Sequence, residues 1–456
     1  MNRGALLVIV FAVIASACGS APQQSGSPTT ETVAPVPRSS ILPTTTTTTP
    51  EPEAEVVLEP VVRTGAQVLV DQGLSLLSGE RVGLIAHQSS VVAVDGVPVH
   101  LGDVLHADAD VELVALFGPE HGIRGTADAG VLVNDEIDPN TGVRVFSLFG
   151  STRQPTPEML EGIEVLVYDL QDVGTRYYTY ISTMGLAMQA AAQAGIRFVV
   201  LDRPNPLGGA VGGGVLEPGR TSFVGQYPVP DQYGLTAGEL ALEIVEQGWL
   251  PGLEDLELDV VAIDGWTRDM RWDDTGLEWV APSPALDTPE SALLYPATIW
   301  FEATSLSYGR GTTEPFRVLG APWLDADSAV SDLTSRDLPG VAFEVDQITP
   351  ELLPGVTVEP AFLGQSIAAV RLRVTDAQRI RPTELGIHLL DVMATQARDA
   401  GADLLDRPSW LDQLSGNTVL RIAIESGDFD VRTIIGTHVD QRSVLGEVLS
   451  NNLLYE

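Results

Sequence analysis

Lysine is absent from this 456-residue chain: all 25 basic side chains are arginines, set against 62 acidic residues for a formal charge of -37. A surface of that sign repels phosphate backbones and anionic head groups, which excludes nucleic acid as a partner and leaves arginine as the cation available to any site. Cysteine is nearly absent too. Cys18 is the one thiol, so disulfides, dithiol redox chemistry and thiolate metal sites have nothing to build on. Aromatic residues make up only 6%, so the core must come from Val, Leu, Ile and Ala. Several catalytic signatures are missing: no HExxH, no GxSxG elbow, no phosphate-loop lysine, and no GxGxxG opening a helix after the first strand. Six histidines are present, but none is spaced to specify a metal site. No cofactor and no metal are expected.

The N-terminus does carry a signal. Arg3 precedes an apolar run over residues 5–15 that is too short for a membrane span, and the small residues Ala15, Ser16 and Ala17 lead to Cys18. This pattern predicts a lipoprotein signal peptide over residues 1–18 and lipidation at Cys18. The protein is then extracytoplasmic, held at the cell membrane by that lipid alone. Residues 19–58 are rich in Pro, Thr and Ser, with six threonines in a row at 44–49, and read as a disordered stalk.

From about residue 59 the chain reads as a fold. Short apolar runs rich in β-branched residues at 82–86, 113–117, 165–168 and 197–201 alternate with helix-like segments at 73–77, 101–105, 156–160 and 183–195. A further unit follows, with a helix at 236–247 and a strand at 258–263. Strands that are apolar throughout and spaced by helices imply a parallel sheet covered on both faces. Later strands at 341–345 and 368–374 flank a helix at 383–396. The expected architecture is α/β: a Rossmann-like parallel-sheet domain over 59–299 and a smaller α+β domain over 300–456 that closes the cleft.

In open parallel sheets ligands bind beyond the carboxyl ends of the strands. Four such ends here carry polar sequences: His87-Gln88-Ser89-Ser90, then GPEHGIRG at 118–125, DLQDVGTRYY at 169–178 and DRPNPLGG at 202–209. Glu120 stands out, flanked by glycines that permit close backbone approach, with Arg124 nearby to tune its pKa. It is either a general acid or base, or a cap for the following turn. Asp169, Asp172 and Arg176 form a second group. Asp172 reads as the N-cap of a helix beginning after Val173, or as a local ion-pair partner of Arg176. Arg203 and Asn205, stiffened by Pro204 and Pro206, suit recognition of a carboxylate or an acetamido group, or a structural turn.

The motifs VGLIAHQSS (82–90), ALFGPEHGIRG (115–125), PTPEMLEGIEVLVYDLQDVGTRYYTYISTM (155–184), VLDRPNPLGG (200–209), SFVGQYPVP (222–230), TGLEWVAPSPALDT (275–288) and YPATIWFEATSLSYGRGTTEPF (295–316) together resemble those of the exo-β-N-acetylmuramidases. That glycoside hydrolase family was formerly catalogued as the DUF1343 domain of unknown function. The resemblance implies release of N-acetylmuramic acid from the non-reducing ends of peptidoglycan fragments, with the active site in a cleft between two domains. It implies Glu120, His121 and Asp172 as catalytic residues. His87, Gln88, Arg124, Asp169, Arg176, Tyr178, Arg203, Asn205, Glu302 and Arg310 would bind substrate. The group partnering Glu120 is then Asp172, Asp169, Glu302 or the sugar's own acetamido group. The lactyl carboxylate of a muramyl sugar would be met by Arg124, Arg176, Arg203 or Arg310. His87 replaces an asparagine usual in the family. A peptidoglycan-binding protein without turnover and a hydrolase of another acidic sugar are the alternatives.

Overall fold

Seven strands in one sheet and two two-stranded ladders dominate the first half of the computed structural model, which describes residues 62–125, 132–353, 356–357, 359–445 and 452–456. Cys18 and the Pro/Thr-rich segment lie outside the described residues. In chain order the strands are β1 (Arg81–Ala86), β2 (Val91–Val94), β3 (Val97–His100), β4 (Glu112–Gly118), β5 (Glu136–Ile137), β6 (Arg144–Ser147), β7 (Val165–Asp169), β8 (Arg197–Leu201), β9 (Gly212–Val215), β10 (Pro230–Gln232) and β11 (Leu258–Val261). One sheet has the order β11-β8-β7-β1-β4-β6-β5. All its neighbours are parallel except β5 on β6. Reading only the parallel strands, the first two in the chain neighbour each other, the third lies outside the second, and the fourth returns to the other side of the first. This is the Rossmann arrangement, with its switch point between β1 and β7. The cause is visible in the strands themselves: β7 is buried at every residue and β1 at all but its first, so both faces must be covered.

The second sheet is antiparallel, with β12 (Val318–Ala321), β13 (Val341–Ile348) and β14 (Ile367–Val374) in the order β12-β14-β13. One hydrophobic cluster reaches from Tyr168 and Phe198 of the first sheet to Val370 and Leu372 of the second and includes Trp300, while a second covers the other face of the first sheet. The helices Pro289–Thr298 and Pro382–Asp399 pack together in the first cluster. The fold is thus α/β, Rossmann-like, with a smaller antiparallel unit.

Local expectations are met unevenly. The Ala-rich helix spans Tyr180–Ala194 and stops at Gly195. Thr236 and Glu239 form a reciprocal capping box at the start of Ala237–Glu246. Residues 157–162 make turns rather than a helix, and the chain leaves them at Gly162 with φ 83°. The segment at 73–77 is only a 3₁₀ turn, Ser75–Leu77, preceded by the helix Gly65–Asp71.

Asp172 is not an N-cap: the helix starts eight residues later, at Tyr180. Tertiary pairing prevents an earlier start. Thr175 bridges Gln232 and the Arg176 amide donates to the Asp231 carbonyl at 2.9 Å, drawing residues 170–179 across to β10. Gly174 makes the bend with φ 73°, and a Cβ there would lie 2.2 Å from Asn205 Oδ1. The loops after β7 and β8 therefore interlock at a position only glycine fits. Gly174→Ala is expected to lose about 2–4 kcal/mol in urea unfolding; a loss below about 0.5 kcal/mol would contradict the interlock.

At the carboxyl end of β8, Asp202 accepts from Thr236 Oγ1 at 2.7 Å, the Gly238 amide at 2.8 Å and the Tyr455 hydroxyl at 2.6 Å. Leu454 is pinned alongside, its amide donating to Glu239 Oε1 at 2.9 Å. Burial pushes the Asp202 carboxyl up from 3.8 to about 6. The folded state then holds this proton more tightly than the unfolded chain does. Stability from the group is full below about pH 4 and is lost as the pH rises through about 6. Compared with wild type, Asp202→Asn should gain up to about 3 kcal/mol between those limits. Chemical denaturation across the pH series checks the sign, and a relative loss on raising the pH would refute it.

Candidate active site

A cavity of about 480 Å³ opens at the carboxyl ends of β4, β6 and β7. Glu120 and His121 come from the loop after β4, Phe149 and Arg153 from the loop after β6, and Tyr177, Tyr178 and Thr179 from the loop after β7. The opposite wall is supplied from beyond residue 290 and includes Tyr295, Glu302, Arg310, Phe316 and Trp410.

The chain turns tightly at Glu120. His121 is left-handed at φ 72°, and the Gly122 amide donates to the Pro119 carbonyl at 2.9 Å. Thr179 Oγ1 donates to the Glu120 carboxylate at 2.9 Å. The Tyr180 hydroxyl is shared between the carbonyls of Pro282 at 2.8 Å and Glu120 at 3.3 Å. Backbone and carboxylate are thus both held. Tyr178 packs edge-on to Tyr180 and Tyr295, with centroids at 4.8 and 6.1 Å. Burial pushes the phenols of Tyr178, Tyr180 and Tyr295 well above their ordinary range, so they stay neutral and can donate hydrogen bonds.

Arg310 lies over the rings of Tyr308 and Phe316, at 5.6 and 5.7 Å. Burial disfavours its charge, but Tyr308, Glu302, Tyr295 and Glu120 outweigh that and hold the guanidinium above its usual value. Glu120 and Glu302 therefore both act on one arginine. The arrangement offers two carboxylates, one cation and several neutral hydroxyl donors within a sugar-sized space.

Of the residues singled out from sequence, Glu120, His121, Tyr178, Glu302 and Arg310 line this cavity, and the others do not. Arg124 is bound by Asp103 at 2.6 Å and Asp138 at 2.8 Å. Arg176 is fully buried against Asp231 at 2.5 Å and the Leu414 carbonyl at 3.0 Å. Arg203 forms a fork onto Asp169 at 2.6 and 3.0 Å. These three arginines are committed to the protein's own carboxylates, because a bidentate or buried guanidinium satisfies its charge within the fold. Asn205 builds a turn, donating to the Leu235 carbonyl at 2.8 Å and accepting from the Leu207 amide at 2.9 Å. Asp172 accepts from the Tyr233 hydroxyl and from the Gly174 amide at 2.6 Å, and burial pushes it up to about 6. His87 is wholly buried, its ring 5.3 Å from Tyr180 and 6.2 Å from His121. Burial and the neighbouring His121 and His100 hold it well below its ordinary value. Gln88 donates to the Ala281 carbonyl at 2.8 Å.

Phe149, Arg153 and Trp410 were not found by sequence reading, and Phe223 lay inside a quoted motif without being singled out. The strand-end rule that located Glu120 locates Phe149 and Arg153 as well, once β6 is recognised as a strand of the same sheet. Its four residues carry too little apolar signal to announce it. Tyr295, Thr179 and Phe316 lay inside the quoted motifs without being distinguished from core residues. Among the described residues no group of three His, Cys, Asp or Glu side chains could hold a metal, and no helix is long and apolar enough to cross a membrane.

Two family models match the chain: exo-β-N-acetylmuramidase NamZ, N-terminal, over residues 82–290, and exo-β-N-acetylmuramidase NamZ, C-terminal, over residues 293–453. Peptidoglycan β-N-acetylmuramidase NamZ of Bacillus subtilis strain 168 is 40% identical over 398 residues, covering 87% of this chain and 92% of its own. Two crystal structures of DUF1343 family proteins from Bacteroides fragilis NCTC 9343 superpose with TM-scores of 0.77 and 0.70, at 35% and 28% identity. Each alignment covers 87% of this chain and 99% of the other. By sequence over nearly all its folded length and by structure, this chain belongs to the exo-β-N-acetylmuramidase NamZ family.

Proposed function

We propose that the protein is an exo-acting glycoside hydrolase that releases N-acetylmuramic acid from the non-reducing end of peptidoglycan fragments. The observation that carries this reading is Glu120, fixed by Thr179 at 2.9 Å in a cavity whose far wall presents Glu302 and Arg310. Glycosidic cleavage needs a proton delivered to the leaving oxygen as the bond to the anomeric carbon breaks, and negative charge near the oxocarbenium-like centre that develops. Glu120 is assigned the proton. Glu302, the second of the sequence-selected carboxylates on the cavity wall, or the sugar's own acetamido oxygen, supports the developing positive charge. His121 bounds the cavity beside Glu120, and the neutral tyrosines supply donors for ring hydroxyls. The name of the Bacillus relative supports the same substrate class.

The full chain is expected to liberate N-acetylmuramic acid from an aryl β-N-acetylmuramide. Glu120→Gln should lower kcat by roughly 10²-fold or more. Retention of wild-type protein on insoluble peptidoglycan without any product would instead establish a binding protein, and full activity in the Glu120 variant would remove that residue from the mechanism.

We also propose, from the sequence of residues 3–18, that Cys18 carries a lipid that holds the enzyme at the outer face of the cell membrane. Cys18→Ser is expected to leave the membrane fraction or to accumulate unprocessed. Unchanged membrane retention of a processed variant would refute the anchor.

A further inference from the structure

We infer that Arg153 is the residue that reads the lactyl carboxylate and so sets the preference for a muramyl over a glucosaminyl sugar. The inference rests on the reading of the cavity as a muramyl site. It goes further by choosing between the two arginines that line the cavity, Arg153 and Arg310.

Arg310 shares the cavity with two acids, Glu302 and Glu120. Glu302 and Glu120 both favour its charge, so a substrate carboxylate brought to it would also approach two like charges in a partly dry space. Its effect falls on the protein's own acids, keeping two carboxylates compatible within one cavity.

Arg153 is placed differently. It lies in the loop that follows β6, within a tight turn in which Thr152 Oγ1 accepts from the Gln154 amide at 3.1 Å and donates to the Gln154 carbonyl at 2.6 Å. Its guanidinium carbon lies 4.1 Å from the centroid of Phe223 and 5.2 Å from that of Phe149, rings that also line the cavity. Two phenyl rings restrict where the guanidinium can go. Among the described residues neither it nor Arg310 forms an ion pair, whereas Arg124, Arg176 and Arg203 are each paired; Arg153 differs from Arg310 in standing apart from the cavity's two acids, on the loop after β6. A restrained guanidinium with its N–H fork uncommitted, at a cavity wall, is built to receive a planar anion. The N-acetylmuramyl group differs from N-acetylglucosaminyl by one such anion, the lactyl ether on C3. That carbon lies beyond the one bearing the acetamido group, so its carboxylate is displaced from the glycosidic oxygen that Glu120 protonates. A cation on a different loop from the acid suits that displacement.

The test is calorimetric binding of free N-acetylmuramic acid and free N-acetylglucosamine to the full chain. Wild type is expected to prefer the acidic sugar by about tenfold or more, as a charge-assisted bidentate contact allows. In Arg153→Gln the preference should fall to within about twofold, while Arg153→Lys, which keeps the charge and loses the fork, should retain part of it. Arg310→Gln should keep the preference even if both sugars bind more weakly. Arg153 is exposed, so its variants should melt as wild type does. An unchanged preference in Arg153→Gln, its loss in Arg310→Gln alone, or no preference in wild type would each overturn the inference. Binding is read without turnover, so a chain that binds selectively but hydrolyses nothing defeats the hydrolase reading and leaves this one standing.

Discussion

The site depends on an ion pair that does not touch it. Arg203 and Asp169 form a buried fork at the carboxyl ends of β8 and β7, and Ser90, just past β1, donates its hydroxyl to the Asp169 carbonyl at 2.5 Å. Three neighbouring strands are thereby tied at the edge from which the functional loops leave, at the switch point of the sheet. A Rossmann crevice commonly holds a nucleotide there. In this protein the space is taken by protein: His87, Tyr180 and the Asp169–Arg203 pair fill it, and the open cavity is displaced toward β4 and β6. Removing either member would leave an uncompensated buried charge, an error of about 3–5 kcal/mol, in the place where the loop geometry is set.

The acidic composition gives that pairing a wider meaning. With 62 acids against 25 bases, a guanidinium inside the fold readily finds a carboxylate, and Arg124, Arg176 and Arg203 have done so. The residues beyond 290 then do more than cover the sheet. They contribute Glu302, Arg310, Tyr295 and Trp410 to the cavity wall and share the core that carries Tyr168 and Phe198. Two sheets of different type therefore share one apolar cluster, and residues from both halves of the chain line the cavity.

How much of this was legible depends on the kind of signal. Fully buried parallel strands such as β1 and β7 announce themselves as continuous apolar runs, and the rule that ligands gather at strand ends led from them to Glu120. The identity of the cavity wall was harder. Whether Arg176 faces a ligand or Asp231 depends on residues 55 positions apart, and no local pattern encodes that choice. Asp172 shows the same limit: it has the composition of a helix cap, but the backbone pairing of Thr175 and Arg176 with β10 overrides it. Phe149 and Arg153 were missed for the opposite reason. The rule was sufficient, but β6 is too short to be recognised before its neighbours are known.

Tyr455 gives the architecture a directional character. The carboxylate at the end of β8 gains one of its partners from a residue 253 positions further along the chain, with Leu454 fastened beside it. A long-range closure of this kind forms only after the loop between its ends has been ordered, and such contacts slow folding. The Rossmann sheet is complete in sequence by β11, but the burial of Asp202 is not complete until the far end of the chain has docked. The first half of the molecule therefore reaches its final state last.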